Sequence, residues 1–178
     1  MTSKISVLSY EEASVIFKRV VRYSKEIGIY NSLKRKYPTK SFSAHLNRLM
    51  VLQDIRSIAV EFVWMAYITT YSQRHLNQNS IESSRLGRIE ASIYIMDLLV
   101  ELWHLFEDKN KKDACCCAIY EEFGFMFNES IKKYMDRGIN LNMISDDAIN
   151  KAHNVLDFLK ENYIPVKYEN VCILPSRR

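Results

Sequence analysis

Ile89-Glu-Ala-Ser-Ile-Tyr-Ile-Met-Asp-Leu-Leu-Val-Glu-Leu-Trp-His104 is the stretch that decides the fold. Ile89, Ile93, Met96, Val100 and Trp103 are spaced 4, 3, 4 and 3 residues apart. That period places side chains on one face of an α-helix and forms the seam of left-handed bundles. The opposite edge reads as polar, through Asp97, Glu101, His104 and Asp108. A helix over about 80–107 is therefore predicted. It lies between the loop Asn77-Gln-Asn-Ser80 and a second solvated loop, Glu107-Asp-Lys-Asn-Lys-Lys-Asp113.

The flanking segments repeat the pattern. Ser9 followed by Glu12 is a reciprocal helix cap, and Ala13, Ile16, Phe17, Val20 and Ile27 then recur at helical spacing, which predicts a helix over 10–36 ended by Pro38. A second helix, 43–76, is apolar around most of its circumference, with only Asp54, Ser57 and Glu61 as a polar stripe. Such a helix is central in its domain or covered by a second subunit. A fourth spans 114–136 and stops near Gly138; a fifth spans 146–162, capped by Ser145 with Asp146 and Asp147 at its positive end, and closed by Pro165. The remainder, 165–178, reads as a short extended or docking tail. The expected fold is all-α: one domain over 1–164, an up-down four-helix bundle with an additional C-terminal helix.

Composition agrees. Only 4 Gly and 3 Pro occur among 178 residues, too few for a turn-rich sandwich or barrel, while 48% apolar and 26% charged residues describe a globular chain. Cys115, Cys116 and Cys117 are consecutive, which excludes a routine disulfide framework, and no pair has the two-residue gap of a zinc knuckle. The run is expected to supply small core residues. The N-terminal Met1-Thr-Ser-Lys-Ile-Ser lacks the apolar stretch of a signal peptide, and Ile58 to Ile68 is interrupted by Glu61 and too short to span a bilayer. A cytoplasmic location with no membrane contact is the expectation.

Catalytic patterns are missing. Glu101-Leu-Trp-His104 matches half of a di-iron carboxylate site, but His45, His75 and His153 have no Glu three residues before them. An exposed i,i+3 pair is the simpler reading. Glu61 is read as completing its polar stripe, paired with an Arg of another helix. A helical ribonuclease of the HEPN type carries an Arg four to seven residues before its His, and none of the four histidines has one. No Gly-rich phosphate loop or serine elbow occurs either. The expectation is a non-enzyme without metal or cofactor.

Charge is segregated. Residues 1–48 hold ten Lys/Arg against three Glu, a net +7, whereas 49–113 and 114–178 net −2 and −1. Lys18, Arg22 and Lys25 stand at i, i+4 and i+7 with Arg19 beside them, roughly opposite Val20 and Ile27; Lys34, Arg35, Lys36, Lys40 and Arg48 extend the basic run. Tyr23, Tyr30 and Tyr37 are interleaved as stacking groups. Cations repeating along a helix, with aromatics nearby, suit the tracking of RNA or DNA phosphates without sequence specificity.

From Tyr30 to Tyr134 the order of features resembles a four-helix-bundle family. It contains the accessory variability determinant of diversity-generating retroelements and the proteins encoded in intervening sequences of bacterial 23S ribosomal RNA genes. The similarity is carried by Tyr30-Asn-Ser-Leu-Lys-Arg-Lys-Tyr-Pro38, by Arg85-Leu-Gly-Arg-Ile-Glu-Ala-Ser-Ile-Tyr-Ile-Met-Asp-Leu-Leu, and by Glu122-Phe-Gly-Phe-Met-Phe-Asn-Glu-Ser-Ile-Lys-Lys133 with Gly124 in the glycine position. It spans about 105 residues and leaves out everything from Gly138 onward. The resemblance implies a basic, ring-like homo-oligomer that binds RNA or DNA and docks on a reverse transcriptase, with no catalytic residue. The alternative from the residues is a protein–protein adaptor, such as a viral or bacterial effector, using the apolar second helix.

Overall fold

Ser9 opens the first helix with a reciprocal cap. Its hydroxyl accepts from the Glu12 amide at 3.1 Å, and its own amide donates to the Glu12 carboxylate at 3.4 Å. Helix α1 (Tyr10–Glu26) then buries Ala13, Ile16, Val20 and Tyr23, spaced 3, 4 and 3. The computed structural model of the chain describes residues 9–26, 58–59, 80–124, 126, 144–165 and 175. The expected helix over 43–76 is described at Ile58 and Ala59 alone, both helical and buried. Glu61, the Tyr30–Pro38 motif and the expected end near Gly138 lie outside the described residues.

Among the described residues every regular element is a helix and none is a strand, so the all-α reading holds. Helix α2 (Ser80–Leu105) carries the stretch that opened the sequence analysis, and α1, α3 (Lys109–Gly124) and α4 (Asp146–Glu161) all pack on it. Every residue from Ile89 to Leu99 is buried. The apolar seam forms as expected at Ile89, Ile93 and Met96, with Val100 and Trp103 partly buried at its end. The polar edge differs from expectation. Asp97 is buried and Glu101 half-buried, because α1 and α4 cover that edge with polar groups of their own.

The expected solvated loop over 107–113 is also shorter. Only Phe106, Glu107 and Asp108 are non-helical. Asp108 starts α3 by accepting from the amides of Asn110 at 2.7 Å and Lys111 at 3.3 Å. Three lysines in a first helical turn oppose the helix dipole. Tertiary contacts offset that: Lys111 pairs with Glu12 of α1, and the Lys112 ammonium lies 4.1 Å from the centre of the Trp103 ring. Of the three cysteines, Cys115 is buried and Cys116 packs against the core. Cys117 faces solvent, a correction to the reading of the whole run as core.

Helix α4 begins where the sequence places it. The Ser145 hydroxyl accepts from the Ala148 amide at 3.2 Å, and Asp146 and Asp147 occupy the first turn. At its other end the Ile164 amide donates to the Leu159 carbonyl and the Tyr163 amide to that of Lys160, the paired bonds of a Schellman stop. Tyr163 holds φ 55°, a left-handed conformation suited to glycine, and its side chain is 92% exposed. Tyr163→Gly is therefore expected to raise stability by about 0.5–1 kcal/mol in urea unfolding, since strain is relieved and no packing is lost.

Candidate nucleic-acid interface

α1 has two faces with different chemistry. The inner face is the seam Ala13, Ile16, Val20 and Tyr23. The outer face presents Lys18, Arg22 and Lys25, all exposed, with Val15 half-exposed beside them. The seven-residue span from Lys18 to Lys25 covers about two helical turns, or roughly 10 Å along the axis at 1.5 Å per residue. Arg22 is within 3.1 Å of Glu26 on the same helix, an exposed i,i+4 pair worth only a few tenths of a kcal/mol. A strong polyanion can displace such a partner.

The remaining predicted cations divide. Arg19 turns away from the outer face toward α2, where its guanidinium lies 3.9 Å from the Glu101 carboxylate; the two side chains are 27% and 30% exposed. Lys34, Arg35, Lys36, Lys40 and Arg48 lie outside the described residues, as do Tyr30 and Tyr37. Tyr23 is fully buried, so it cannot stack on a base. Its place three residues after Val20 and seven after Ile16 is the signal in the sequence that assigns it to the inner face.

Beneath this surface runs a polar seam that includes Asp97 and Glu101, two residues of the expected polar edge. Glu90, Tyr94, Asp97 and Glu101 repeat on α2 at spacings of 4, 3 and 4, one residue over from the apolar seam. Glu90 accepts from the Ser145 amide at 2.5 Å, completing the α4 cap from another helix. Tyr94 donates its hydroxyl to Asp147 at 2.8 Å, while the Tyr23 hydroxyl donates to the Tyr94 backbone carbonyl at 2.9 Å. Lys151 of α4 reaches Asp97 at 3.3 Å and lies 5.4 Å from the Tyr23 ring centre.

Protonation follows burial. Burial pushes the Asp97 carboxyl above the ordinary range, even though the Lys151 charge and the Tyr23 hydroxyl both favour its ionised form. Glu101 is also raised, first by burial and then by the neighbouring Asp97 charge, with Glu26 adding and Arg19 opposing. The Tyr23 and Tyr94 hydroxyls are held well above their usual range by burial, so both remain donors at neutral pH. The Cys115 thiol is pushed up to about 12 by burial, which leaves it protonated and a poor nucleophile. Glu90, Tyr94, Asp97, Tyr23, Asp147 and Lys151 are paired inside the packing and join α1, α2 and α4. The buried Oε2 of Glu101, by contrast, makes no hydrogen bond and has only the Arg19 guanidinium at 3.9 Å. Tyr94→Phe removes one partner from Asp147 and is expected to cost about 1 kcal/mol by thermal or urea unfolding.

His104 is exposed, and its ring packs edge-on with Trp103 at 5.0 Å. Glu101, expected to be its exposed i,i+3 partner, instead faces Arg19. Among the described residues no group of three or more His, Cys, Asp or Glu is placed to hold a metal, and no helix is long and apolar enough to cross a membrane. The ring of His153 pairs with the Pro175 carbonyl at 3.0 Å, a contact between α4 and the tail. No protein-family model matches the chain, and no curated protein or solved structure matches it.

Proposed function

We propose that this protein is a non-catalytic, nucleic-acid-binding accessory protein, with the outer face of α1 as its phosphate-contacting surface. The observation that carries the reading is the segregation of charge: a net +7 in residues 1–48, on a chain whose other two segments are slightly acidic. Lys18, Arg22 and Lys25 supply exposed cations along one helix face. Fixed cations at that repeat bind phosphates by releasing counterions, which gives affinity without sequence preference. Lys34, Arg35, Lys36, Lys40 and Arg48 extend the surface in this reading, and Arg19 joins it at the margin.

The wider proposal follows the resemblance: an up-down four-helix bundle with a C-terminal helix and tail, working as a homo-oligomer beside a reverse transcriptase or other polymerase, in the cytoplasm. The double charge reversal Arg22→Glu with Lys25→Glu tests the surface. At about 100 mM salt it is expected to weaken binding to a labelled oligothymidylate by at least about 25-fold, from two lost contacts of about 0.7 log units each. Fluorescence anisotropy reads the result. Unchanged affinity would remove α1 from the interface and favour the adaptor reading.

A further inference from the structure

Arg19 is a predicted phosphate ligand that is turned toward another helix. It stands one residue from Lys18 and three from Arg22, so it borders the exposed basic face. Its guanidinium nevertheless rests 3.9 Å from the Glu101 Oε2, at the outer limit of an ion pair. That oxygen is buried and makes no hydrogen bond, while the two side chains as wholes are 27% and 30% exposed. The charges around Glu101 come from three helices: Arg19 and Glu26 on α1, Asp97 on α2 itself, and Lys151 on α4. Lys151 is already taken by Asp97 at 3.3 Å. Glu101 thus sits among carboxylates with Arg19 as its nearest cation.

We propose that Glu101 holds Arg19 in reserve, as an internal competitor for the polyanion. In the unmodified chain Arg19 stays largely with Glu101, and a nucleic-acid phosphate at the edge of the basic face gains it as a fourth cation, beside Lys18, Arg22 and Lys25, once the Glu101 charge is removed. The contact then lowers the affinity of the resting protein, because binding through Arg19 leaves Glu101 without its nearest positive charge. This inference rests on the proposed phosphate-contacting role of α1 and specifies how that surface is regulated.

A double-mutant cycle tests it, with anisotropy of a labelled oligothymidylate as readout and circular dichroism confirming the helical fold of every variant. Glu101→Gln is expected to bind about five-fold more tightly than the unmodified chain at about 100 mM salt, and to steepen the dependence of log K on log salt by about 0.7, the signature of one added phosphate contact. Arg19→Ala in the Glu101→Gln background removes that gain. In the unmodified background, Arg19→Ala changes affinity by less than about two-fold, since Arg19 is largely engaged there. Glu161→Gln, an exposed carboxylate on α4, controls for net charge and shifts binding by less than about two-fold.

The proposal fails if Glu101→Gln behaves like Glu161→Gln, or if Arg19→Ala costs the same in both backgrounds. Should the alanine variant melt early, Arg19→Gln, which keeps much of the aliphatic stem, is read in its place. An unmodified chain that does not bind the oligonucleotide would overturn both this inference and the functional reading. A chain that binds while Glu101→Gln changes nothing would overturn the reserve alone.

Discussion

Lys151→Met is expected to destabilise the protein by about 3 kcal/mol at neutral pH, the lower end of the usual cost of leaving one member of a buried ion pair alone. Lys151 is the cation nearest Asp97, at 3.3 Å, and their side chains are only 19% and 12% exposed. Removing it leaves a carboxylate beside Tyr23, Glu101 and Asp147 with no comparable positive charge among the described residues. Replacing both partners, as Asp97→Asn with Lys151→Met, should recover most of the loss, because neither charge is then stranded. Urea unfolding of the two single variants and the double variant measures this directly.

The same variant has a pH signature whose sign is fixed by burial. The Asp97 carboxyl is raised in the folded protein above its ordinary value of 3.8, so the folded chain holds that proton more readily than the unfolded chain. Stability therefore falls as pH rises through the folded-state pKa, and returns as pH drops toward the ordinary value. Loss of Lys151 pushes the carboxyl up further. The deficit of Lys151→Met should be largest at and above neutrality and should shrink as pH falls toward 4. A deficit that is constant across this range would mean that the cost is packing rather than charge.

Ile93→Ala is the second large effect, with an expected loss of about 3 kcal/mol, within the 2–5 kcal/mol typical of emptying a buried aliphatic site. Ile93 is fully buried at the middle of α2, where every residue from Ile89 to Leu99 is buried. A helix enclosed on all sides by its neighbours cannot relax into the cavity by moving outward, so little of the cost is recovered. Val15→Ala on the exposed face of α1 provides the contrast and should change stability by less than about 0.5 kcal/mol. Equal effects at the two sites would contradict the placement of α2 at the centre.

The sequence carried the helices well where local chemistry marks them. Ser9 and Glu12 cap α1, and Ser145 caps α4, as side chains whose oxygen acceptors lie within three residues of the amides they satisfy. The stop of α4 is less visible, because the left-handed position is filled by Tyr163 rather than by glycine. Features set by distant partners were harder to read. Lysine-rich 109–112 looks like a solvated loop until Glu12 and Trp103, from two other helices, are seen to receive Lys111 and Lys112.

The polar seam shows the same limit more clearly. Asp97 and Glu101 at helical spacing read as a solvated edge, since a buried carboxylate is rare without a partner. The partners are Lys151, 54 residues away, and Arg19, 82 residues away, and no local pattern announces them. Tyr23 was legible by contrast: it continues the Ile16 and Val20 spacing of the inner seam, and its hydroxyl then finds the Tyr94 carbonyl 71 residues away. The basic face was legible because charge segregation needs no partner to be seen. Lys18, Arg22 and Lys25 are exposed as their spacing implied.

The most direct measurement is the salt dependence of oligothymidylate binding by the unmodified protein, followed by anisotropy between about 50 and 300 mM salt. Three exposed cations on α1 predict that log K falls linearly with log salt, with a slope of about −2 or steeper. A flat response, or no binding at the lowest salt, would contradict the nucleic-acid-binding account and leave the outer face of α1 as a solvated surface.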